Sequence, residues 1–423
     1  MVENRKPLVS IFTPTNNPRW LKDAYESLKE QTYSDWEWVL IANGGITIPD
    51  FGDERVKVYP FEYSHGKIGA LKRYACEHCI GDIYLEFDHD DKLTPDCVEK
   101  VVKAFEEHPE AAMVFSNFAQ VDINTGETAN VWSAYYGWKY RDFNYKGKIV
   151  KEVLSPTIEP QNLSRIWFAP NHVRAWRATD YWKIGGHNAD MNISDDHDMC
   201  ARTYLYKKDS IYLIDECLYI YRIHEKQYTW LRNAEIQETM WNNYNKYIEQ
   251  MVVKWADDRG LRKIDMCGGI NPAQGYESYD LQNGDIIGDL NETWKLEDNS
   301  VGVLRANDAI EHLKDPIHVM NEAHRVLAHG GFFMINVPST DGRGAFQDPT
   351  HVSFWNANSF WYYTQAKMRK FIEPQCFAKF QAMRILDYQP NEACKTNNIW
   401  YTSAHLFAIK DGPRYHGYMD FPE

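Results

Sequence analysis

The stretch IYLEFDHDD, residues 83–91, decides how the first half of the chain is interpreted. It runs from an apolar segment, typical of a buried strand, directly into a cluster of carboxylates. In an α/β fold, the carboxyl end of such a strand is where ligands bind. Clustered carboxylate oxygens suit a hard divalent cation, which can hold a diphosphate. The alternative is an acidic turn before a helix, since Thr94-Pro95 follows and is typical of a helix start.

Strands and helices are predicted to alternate around this stretch. Short β-branched or apolar runs occupy residues 8–13, 36–42 and 56–59, and segments with helical spacing occupy 20–31 and 67–78. This alternation is typical of a mostly parallel sheet covered on both faces. Further helices are predicted at 97–107, 178–184 and 196–207, and a strand pair or one bent strand at 211–222.

A long helix is predicted over residues 233–258, because apolar residues recur there at four-residue spacing and Gly260 follows. We therefore expect a first domain at 1–232, a linking helix at 233–259 and a second domain at 260–423. The second domain repeats the α/β pattern. Its predicted strands lie at 261–266, 276–281, 301–304 and 332–337, with a helix at 317–328.

The composition describes a folded protein of about two domains. The chain has 423 residues, of which 44% are hydrophobic and 25% charged. Its net charge of −14 disfavours a broad surface for nucleic acid. The eight cysteines include one C-x-x-C pair, Cys76 and Cys79, and are otherwise scattered singly, which favours reduced thiols over a disulfide framework or a zinc site. No apolar run could cross a bilayer and the start lacks a signal-peptide core, so we expect a cytoplasmic location.

Several motifs of the first half occur in a fixed order over residues 7–228. Together they resemble the family 2 glycosyltransferases of the GT-A fold. The motifs are VSIFTPT at 9–15, ANGG at 42–45, GDIYLEFDHDD at 81–91, IGG at 184–186, SDDHD at 194–198 and YRIH at 221–224.

This resemblance implies an inverting enzyme that transfers a sugar from a nucleoside-diphosphate sugar, with a UDP-sugar favoured, using Mn²⁺ or Mg²⁺. It places the metal at Asp88, Asp90 and His224. The acceptor hydroxyl needs a general base, for which Asp195 and Asp196 are the candidates. Asp196 is favoured, because it matches the second acidic position of the family's Glu-Asp motif.

The resemblance also predicts which side chains hold the nucleotide-sugar. They are Thr13, Pro14, Thr15, Asn43, Lys67, Lys72 and Asp88. Two of these positions depart from the family pattern. Asn43 stands where the family has an aspartate that reads the base, and Leu71-Lys72 replaces an Arg-Asn pair in the following helix.

The second domain has the layout of a Rossmann nucleotide-binding half, with DMCGG at 265–269 and acids after the next strands. The segments NDAIEHLKDP at 307–316 and EAHRVLAHGG at 322–331 resemble class I S-adenosylmethionine-dependent methyltransferases. The expected fold is thus a GT-A domain followed by a Rossmann-like methyltransferase-type domain, both α/β.

The second resemblance implies S-adenosylmethionine as a cofactor and assigns its binding residues. They are Cys267, Gly268, Gly269, Asp280, Asp289 and Asp308. Asp308, Glu311 and His312 would face the transferred methyl group, and His351 is a candidate general base. Cys267 departs from the family, which has glycine there, and its Cβ would crowd the methionine moiety.

Four interpretations stay open. The first is a sugar transferase acting on a glycan acceptor, with a second, methyl-transferring activity. The second keeps the transferase but makes a hydroxylated base of DNA the acceptor, with Trp132 and Trp138 stacking on a flipped base. The third has a catalytically inactive methyltransferase module used for binding. The fourth is a binding protein in which both domains are inactive.

Overall fold

The computed structural model describes residues 6–62, 67–129, 132, 137–165, 172–225, 227 and 231–410. The chain forms two compact units that divide between Tyr247 and Ile248. This division falls inside one long helix, Asn233–Asp258. Among the described residues, no helix is both long and apolar enough to span a bilayer.

A ten-stranded mixed sheet forms the centre of the first unit. Its strands are β1 Val9–Thr15, β2 Trp36–Asn43, β3 Val56–Phe61, β4 Ile83–Glu86, β5 Lys92–Leu93, β6 Met113–Asp122, β7 Tyr140–Tyr145, β8 Lys148–Val153, β9 Arg174–Arg177 and β10 Ile211–Ile223. The order is β3-β2-β1-β4-β9-β6-β10-β5, and the β7–β8 hairpin pairs with β6. β1 to β4 are mutually parallel, whereas β9 is antiparallel to both of its neighbours.

Amphipathic helices supply the rest of the first core. The helices are α1 Leu21–Lys29, α2 Ile68–Glu77, α3 Cys97–Glu107, α4 Ala178–Ile184, α5 Asp195–Tyr206 and α6 Asn233–Asp258. Leu21 and Leu28 of α1 and Val101 of α3 are fully buried in the same cluster as Val9 and Leu85 of the sheet. Burying these apolar faces is what stabilises α1 and α3 against the strands.

A seven-stranded sheet in the order β13-β12-β11-β14-β15-β17-β16 forms the second unit. The strands are β11 Arg262–Met266, β12 Glu277–Asp280, β13 Ile286–Ile287, β14 Val301–Asn307, β15 Leu327–Pro338, β16 Phe380–Tyr388 and β17 Tyr401–Ala408. The first five in this order are parallel, and β17 is antiparallel to both neighbours. Because β11 has β12 on one side and β14 on the other, the strand order reverses there. Ligands bind at such a reversal in open α/β sheets.

The helices of the second unit lie in its later part. They are α7 Pro316–Val326 and the short α8 Gly344–Gln347, α9 Trp361–Thr364, α10 Ala366–Arg369 and α11 Glu392–Thr396. The start of α7 is fixed by sequence, since the Asp315 carboxylate accepts hydrogen bonds from the N–H groups of Ile317 and His318 and Pro316 occupies the first turn.

Candidate active site

A cavity of about 750 Å³ lies in the first unit, where β1, β2 and β4 end. Its volume is in the range that small-molecule sites occupy. Parallel strands bring their carboxyl ends to one edge, and this edge collects side chains that are distant in sequence. Among the predicted residues, those lining the cavity are Pro14, Thr15, Asn43, Lys72, Asp88, Asp90, Asp195, Asp196 and His224.

Two predicted nucleotide-binding residues lie elsewhere. Thr13 is fully buried in β1, where its hydroxyl donates to the carbonyl of Phe87 at 2.6 Å and accepts from the indole N–H of Trp38 at 2.9 Å. Thr13 therefore holds β1 to its neighbours. Lys67 contacts the exposed carboxylate of Asp190 at 3.0 Å, and neither Thr13 nor Lys67 is among the described residues that line the cavity.

The acidic motif presents two carboxylates, each paired with a histidine. Asp88 Oδ2 lies 3.1 Å from Nε2 of His172, and Asp90 Oδ2 lies 2.8 Å from Nε2 of His224. Burial opposes ionisation of Asp88, but His172 outweighs it and lowers the pKa of the carboxyl below its ordinary value. The ring of Trp20 packs on His224 with centroids 4.4 Å apart, which fixes the imidazole at the cavity wall.

The donor types of this wall suit a divalent cation. Asp88 and Asp90 supply carboxylate oxygens, which Mn²⁺ and Mg²⁺ prefer, and His224 supplies an imidazole nitrogen. The side chain of Asp88 is 39% exposed, so it is accessible to an incoming ion. His172 and Glu86 also offer ligand atoms within 4.8 Å of Asp88. Glu86 already has two cationic partners, so we assign the predicted metal role to the other side chains.

A buried network of charges forms the floor of the cavity. Nζ of Lys72 lies 2.8 Å from Glu86 and 3.0 Å from Asp195, and Nη2 of Arg174 lies 2.8 Å from Glu86. Burial opposes the charge of Lys72, but Asp195 and Glu86 outweigh it and raise the pKa of the lysine. Lys72 was predicted to contact the nucleotide-sugar; in the structure its ammonium group is occupied by these carboxylates.

The two candidate bases differ in exposure and in the direction in which their pKa values are shifted. Asp195 is only 2% exposed, and burial raises the pKa of its carboxyl to about 6. The side chain of Asp196 is 29% exposed and lies 3.1 Å from Nη1 of Arg174. Burial opposes ionisation there too, but Arg174 and Lys72 keep the pKa of Asp196 below its ordinary value. Of the two candidates, Asp196 is thus the more exposed carboxylate and the one whose pKa is lowered.

The acidic loop is anchored from beneath by Asp91. This buried carboxylate accepts hydrogen bonds from the hydroxyl of Tyr219 at 2.8 Å and from the N–H of Arg222 at 2.7 Å, both on β10. The guanidinium of Arg222 also donates to the carbonyl of Asp90. Burial, with Asp90 and Asp88 nearby, raises the pKa of Asp91. Asp91 therefore holds the motif in position, and the two preceding aspartates face the ligand.

Three residues of the site were missed from sequence: Glu86, His172 and Arg174. Glu86 could have been found, because it is an acid inside an apolar strand two residues before Asp88 and so shares its side of the strand. No local pattern marks His172 or Arg174, since both act through side chains more than 80 residues away in sequence.

In the second unit, the glycine turn at residues 267–269 lies beside Asp280, the acid that ends β12. The N–H of Cys267 donates to the carbonyl of Tyr279 at 2.8 Å, which sets the turn beside Asp280. Gly269 has a φ of +53° and nothing within 4 Å of the place a Cβ would take, so its backbone is open to a ligand. Cys267 itself adopts a φ of +57°, a conformation that favours glycine.

Other predicted cofactor residues have structural partners. The Asp280 carboxylate accepts hydrogen bonds from the N–H groups of its own turn, at Gln282 and Asn283. Asp289 bonds the N–H and amide of Asn291 in the same way. The turn that contains Gly268 leads to β12 without a helix among residues 267–276. The helix N-terminus that helps a Rossmann turn to bind a nucleotide is therefore missing, and the site fits S-adenosylmethionine only in part.

Glu311, His312 and His351, which belong to the predicted methyl-transfer region, form a cluster beyond the end of β14. Asp308, at a φ of +46°, follows this strand. His312 and His351 lie with ring centroids 5.0 Å apart, and Nε2 of His351 is 4.0 Å from Oε1 of Glu311. Glu311 is 2% exposed, and burial raises the pKa of its carboxyl to about 7.

Two family models match the chain, one in each unit. The model described as glycosyl transferase family 2 matches residues 10–162, and the model described as methyltransferase domain matches residues 271–335. The chain therefore contains a family 2 glycosyltransferase domain followed by a methyltransferase-like domain, both α/β, as the motifs predicted. The first match ends before Asp195, Asp196 and His224, and the second begins after the glycine turn.

Relatives with curated names are similar over part of the first unit. Hyaluronan synthase of Pasteurella multocida is 27% identical over 203 residues, which cover 46% of this chain and 18% of the relative. The O-antigen biosynthesis protein RfbC of Myxococcus xanthus is 26% identical over 137 residues, covering 30% and 11%. The chain thus spans less than a fifth of the length of each.

Among solved structures, TarS of S. aureus in complex with UDP-GlcNAc is similar at a TM-score of 0.42 and 13% identity. The similarity covers 60% of this chain and 71% of TarS.

Proposed function

We propose that the first unit is an inverting, metal-dependent glycosyltransferase that moves a sugar from a nucleoside-diphosphate sugar to an acceptor hydroxyl. The observation that carries the proposal is one cavity lined by Asp88, Asp90, His224 and Asp196. The family match over residues 10–162 supports the same class.

The chemistry assigns a task to each side of the cavity. Asp88, Asp90 and His224 would hold a divalent cation, which as a Lewis acid offsets the charge that develops on the departing diphosphate. Asp196 accepts the proton of the acceptor hydroxyl as the oxygen attacks the anomeric carbon. Arg174 keeps Asp196 ionised for this step. A single displacement of this kind inverts the configuration of the sugar.

The class of sugar donor and the class of acceptor are inferred less directly than the reaction itself, from the motifs and from the names of relatives. A UDP-sugar is proposed as donor from the resemblance of the motifs. A glycan acceptor is proposed because the names of the two relatives describe the synthesis of hyaluronan and of O-antigen. The cation is Mn²⁺ or Mg²⁺, both of which accept the carboxylate oxygens of this site.

A DNA base as acceptor is the weaker alternative. It relied on Trp132 and Trp138 as stacking surfaces, but these two rings stack on each other with centroids 4.2 Å apart and pack against the first core. The net charge of −14 also opposes association with a polyanion. A gel shift with DNA that weakens as salt is added would favour this alternative.

Two substitutions test the transferase. Asp90→Asn should reduce release of nucleoside diphosphate from a panel of nucleotide-sugars with Mn²⁺ by about a hundredfold or more, because the cation loses a ligand.

Asp196→Asn should lower transfer to the acceptor by about a hundred- to ten-thousand-fold and leave nucleotide-sugar binding in place. Asp190→Asn is the control, since that carboxylate is 90% exposed and pairs with Lys67, which does not line the described cavity. Full activity of Asp90→Asn in saturating Mn²⁺ would refute the metal role.

We propose for the second unit that it binds S-adenosylmethionine through Asp280 and the open turn at Gly269. The family match over residues 271–335 supports this, and the missing helix after β11 opposes it. Calorimetric titration of the whole chain with S-adenosylmethionine tests this. It distinguishes a module that binds the cofactor from an inactive module that has lost it and is retained to bind something else. Heat of binding that Asp280→Asn reduces supports the proposal, and no heat at millimolar ligand supports the inactive module.

A further inference from the structure

The cluster of Glu311, His312 and His351 has a feature that methyl transfer does not explain. Glu311 is 2% exposed, yet neither of its carboxylate oxygens has a hydrogen-bond partner among the described residues. A buried carboxylate without a donor is costly, and buried charges in proteins are usually paired or bound to a metal. Oε1 of Glu311 faces Nε2 of His351 at 4.0 Å.

Both histidines are oriented so that a nitrogen lone pair is available. Nδ1 of His351 lies 2.9 Å from the carbonyl oxygen of Ala345, and Nδ1 of His312 lies 3.2 Å from the carbonyl oxygen of Thr350. A carbonyl oxygen only accepts, so Nδ1 carries the hydrogen in each ring and Nε2 keeps its lone pair. Histidines that ligate metals are held in this way, through a hydrogen bond from the other ring nitrogen.

The backbone ties the two segments of the cluster together. The N–H groups of Val352 and Ser353, which follow His351, donate to the carbonyl oxygen of Glu311 at 2.8 and 3.0 Å. One potential ligand atom from each of Glu311, His312 and His351 lies within 4.8 Å of the other two. Ligands of a tetrahedral zinc ion lie about 3.3 Å apart, so binding requires the side chains to close by up to about 1.5 Å.

We propose that Glu311, His312 and His351 bind one divalent transition-metal ion, Zn²⁺ or Fe²⁺, at a site separate from that of the sugar transferase. Two imidazoles and a carboxylate are the donor set of catalytic zinc and of non-haem iron sites, which leave coordination positions open. The site lies just beyond the carboxyl end of β14, beside the strand-order reversal where a ligand of the second unit would bind. An open position would accept an oxygen atom of that ligand.

The test measures zinc bound by the whole chain after removal of metals with EDTA and addition of Zn²⁺. Wild type and Asp90→Asn should each retain one equivalent through gel filtration, and His351→Gln should lose it or bind at least about ten-fold more weakly. His318→Gln is the matched control, because the ring of His318 lies outside the cluster and contacts the carbonyl of Glu292. Circular dichroism checks that the variants are folded, and His312→Gln provides a second variant.

Binding of Co²⁺ identifies the ligands by a second readout. Nitrogen and oxygen donors give visible bands without the ultraviolet charge-transfer band of a thiolate. That spectrum, lost in His351→Gln, supports the site. No bound metal in wild type, equal zinc in wild type and both histidine variants, or a thiolate band would each overturn it. Sugar transfer should be unchanged in His351→Gln, so failure of this proposal does not affect the proposed transferase.

Discussion

Each unit buries one glutamate almost completely, and the two glutamates have opposite surroundings. Glu86 in the first unit is 1% exposed and Glu311 in the second is 2% exposed. Lys72 and Arg174 each lie 2.8 Å from Oε1 of Glu86. Glu311 has a histidine at 4.0 Å and no hydrogen-bond partner among the described residues.

The pKa values of the two carboxyls differ accordingly. Burial opposes ionisation of both, but Arg174 and Lys72 hold the pKa of Glu86 well below its ordinary value. Burial is the largest influence on Glu311, its own backbone N–H and His351 act against burial only in part, and its pKa is raised to about 7. The first unit therefore compensates its buried charge with its own side chains. The second unit does not, and the metal ion proposed above would supply the missing positive charge.

The largest effect on this comparison is expected from Glu86→Gln. The substitution removes the shared partner of Lys72 and Arg174 and leaves two buried cations short of negative charge. Removing one partner of a buried ion pair typically costs about 3–5 kcal/mol. We expect a loss of that size in the free energy of unfolding, measured by urea denaturation, together with loss of sugar transfer.

Glu77→Gln is the control for that measurement. The Glu77 side chain is 49% exposed and pairs with Arg73 one helical turn away, so its loss should change stability by less than about 1 kcal/mol. If Glu86→Gln is no more destabilising than this control, the buried network does not stabilise the first unit.

The strands that carry the first site could be predicted from sequence, and the network beneath it could not. β1, β2 and β4 are buried along nearly their whole length, and short runs of mostly apolar residues mark such strands directly. β9, with the sequence RAWR, was not predicted because two of its four residues are arginines. Arg174 is nevertheless buried, since Glu86, 88 residues earlier, neutralises it.

Polar residues inside strands also limit what could be predicted from sequence in the second unit. The predicted strand at 301–304 and helix at 317–328 correspond to β14 and α7, with ends that differ by a few residues. β16 and β17 were missed, because polar residues such as Arg384 and His405 interrupt their apolar pattern. The glycine turn was predicted correctly as a turn after β11, but the ten residues that follow Met266 reach β12 without a helix.

Within the first site, the family motifs predicted which acids face the cavity and divided them between metal binding and general-base catalysis. Asp195 and Asp196 are adjacent in sequence, and only the resemblance to the family's Glu-Asp motif favoured Asp196. In the structure both line the cavity, but Asp195 is buried against Lys72 whereas the side chain of Asp196 is 29% exposed.

A smaller effect on the free energy of unfolding is expected from Glu311→Gln in the presence of EDTA. It is more diagnostic, because its sign shows whether the Glu311 carboxylate has a compensating partner. Because the folded pKa of Glu311 is about 7 against an ordinary 4.5, the folded state binds the proton more tightly than the unfolded state. Stability from this group is therefore fully present below pH 4.5 and is lost as the pH rises through 7. The variant, which cannot ionise, should be more stable than wild type by about 1–3 kcal/mol at pH 8, and the difference should shrink to less than about 1 kcal/mol at pH 5.

Zinc should reverse that ranking at pH 8. The ion binds only the folded wild type and stabilises it by mass action, whereas the variant lacks the carboxylate ligand. Urea denaturation of both proteins at pH 5 and pH 8, with EDTA or with Zn²⁺, gives the whole comparison. A wild type that is the more stable protein at pH 8 in EDTA would mean that Glu311 has a compensating partner already, and the contrast with Glu86 would then be lost.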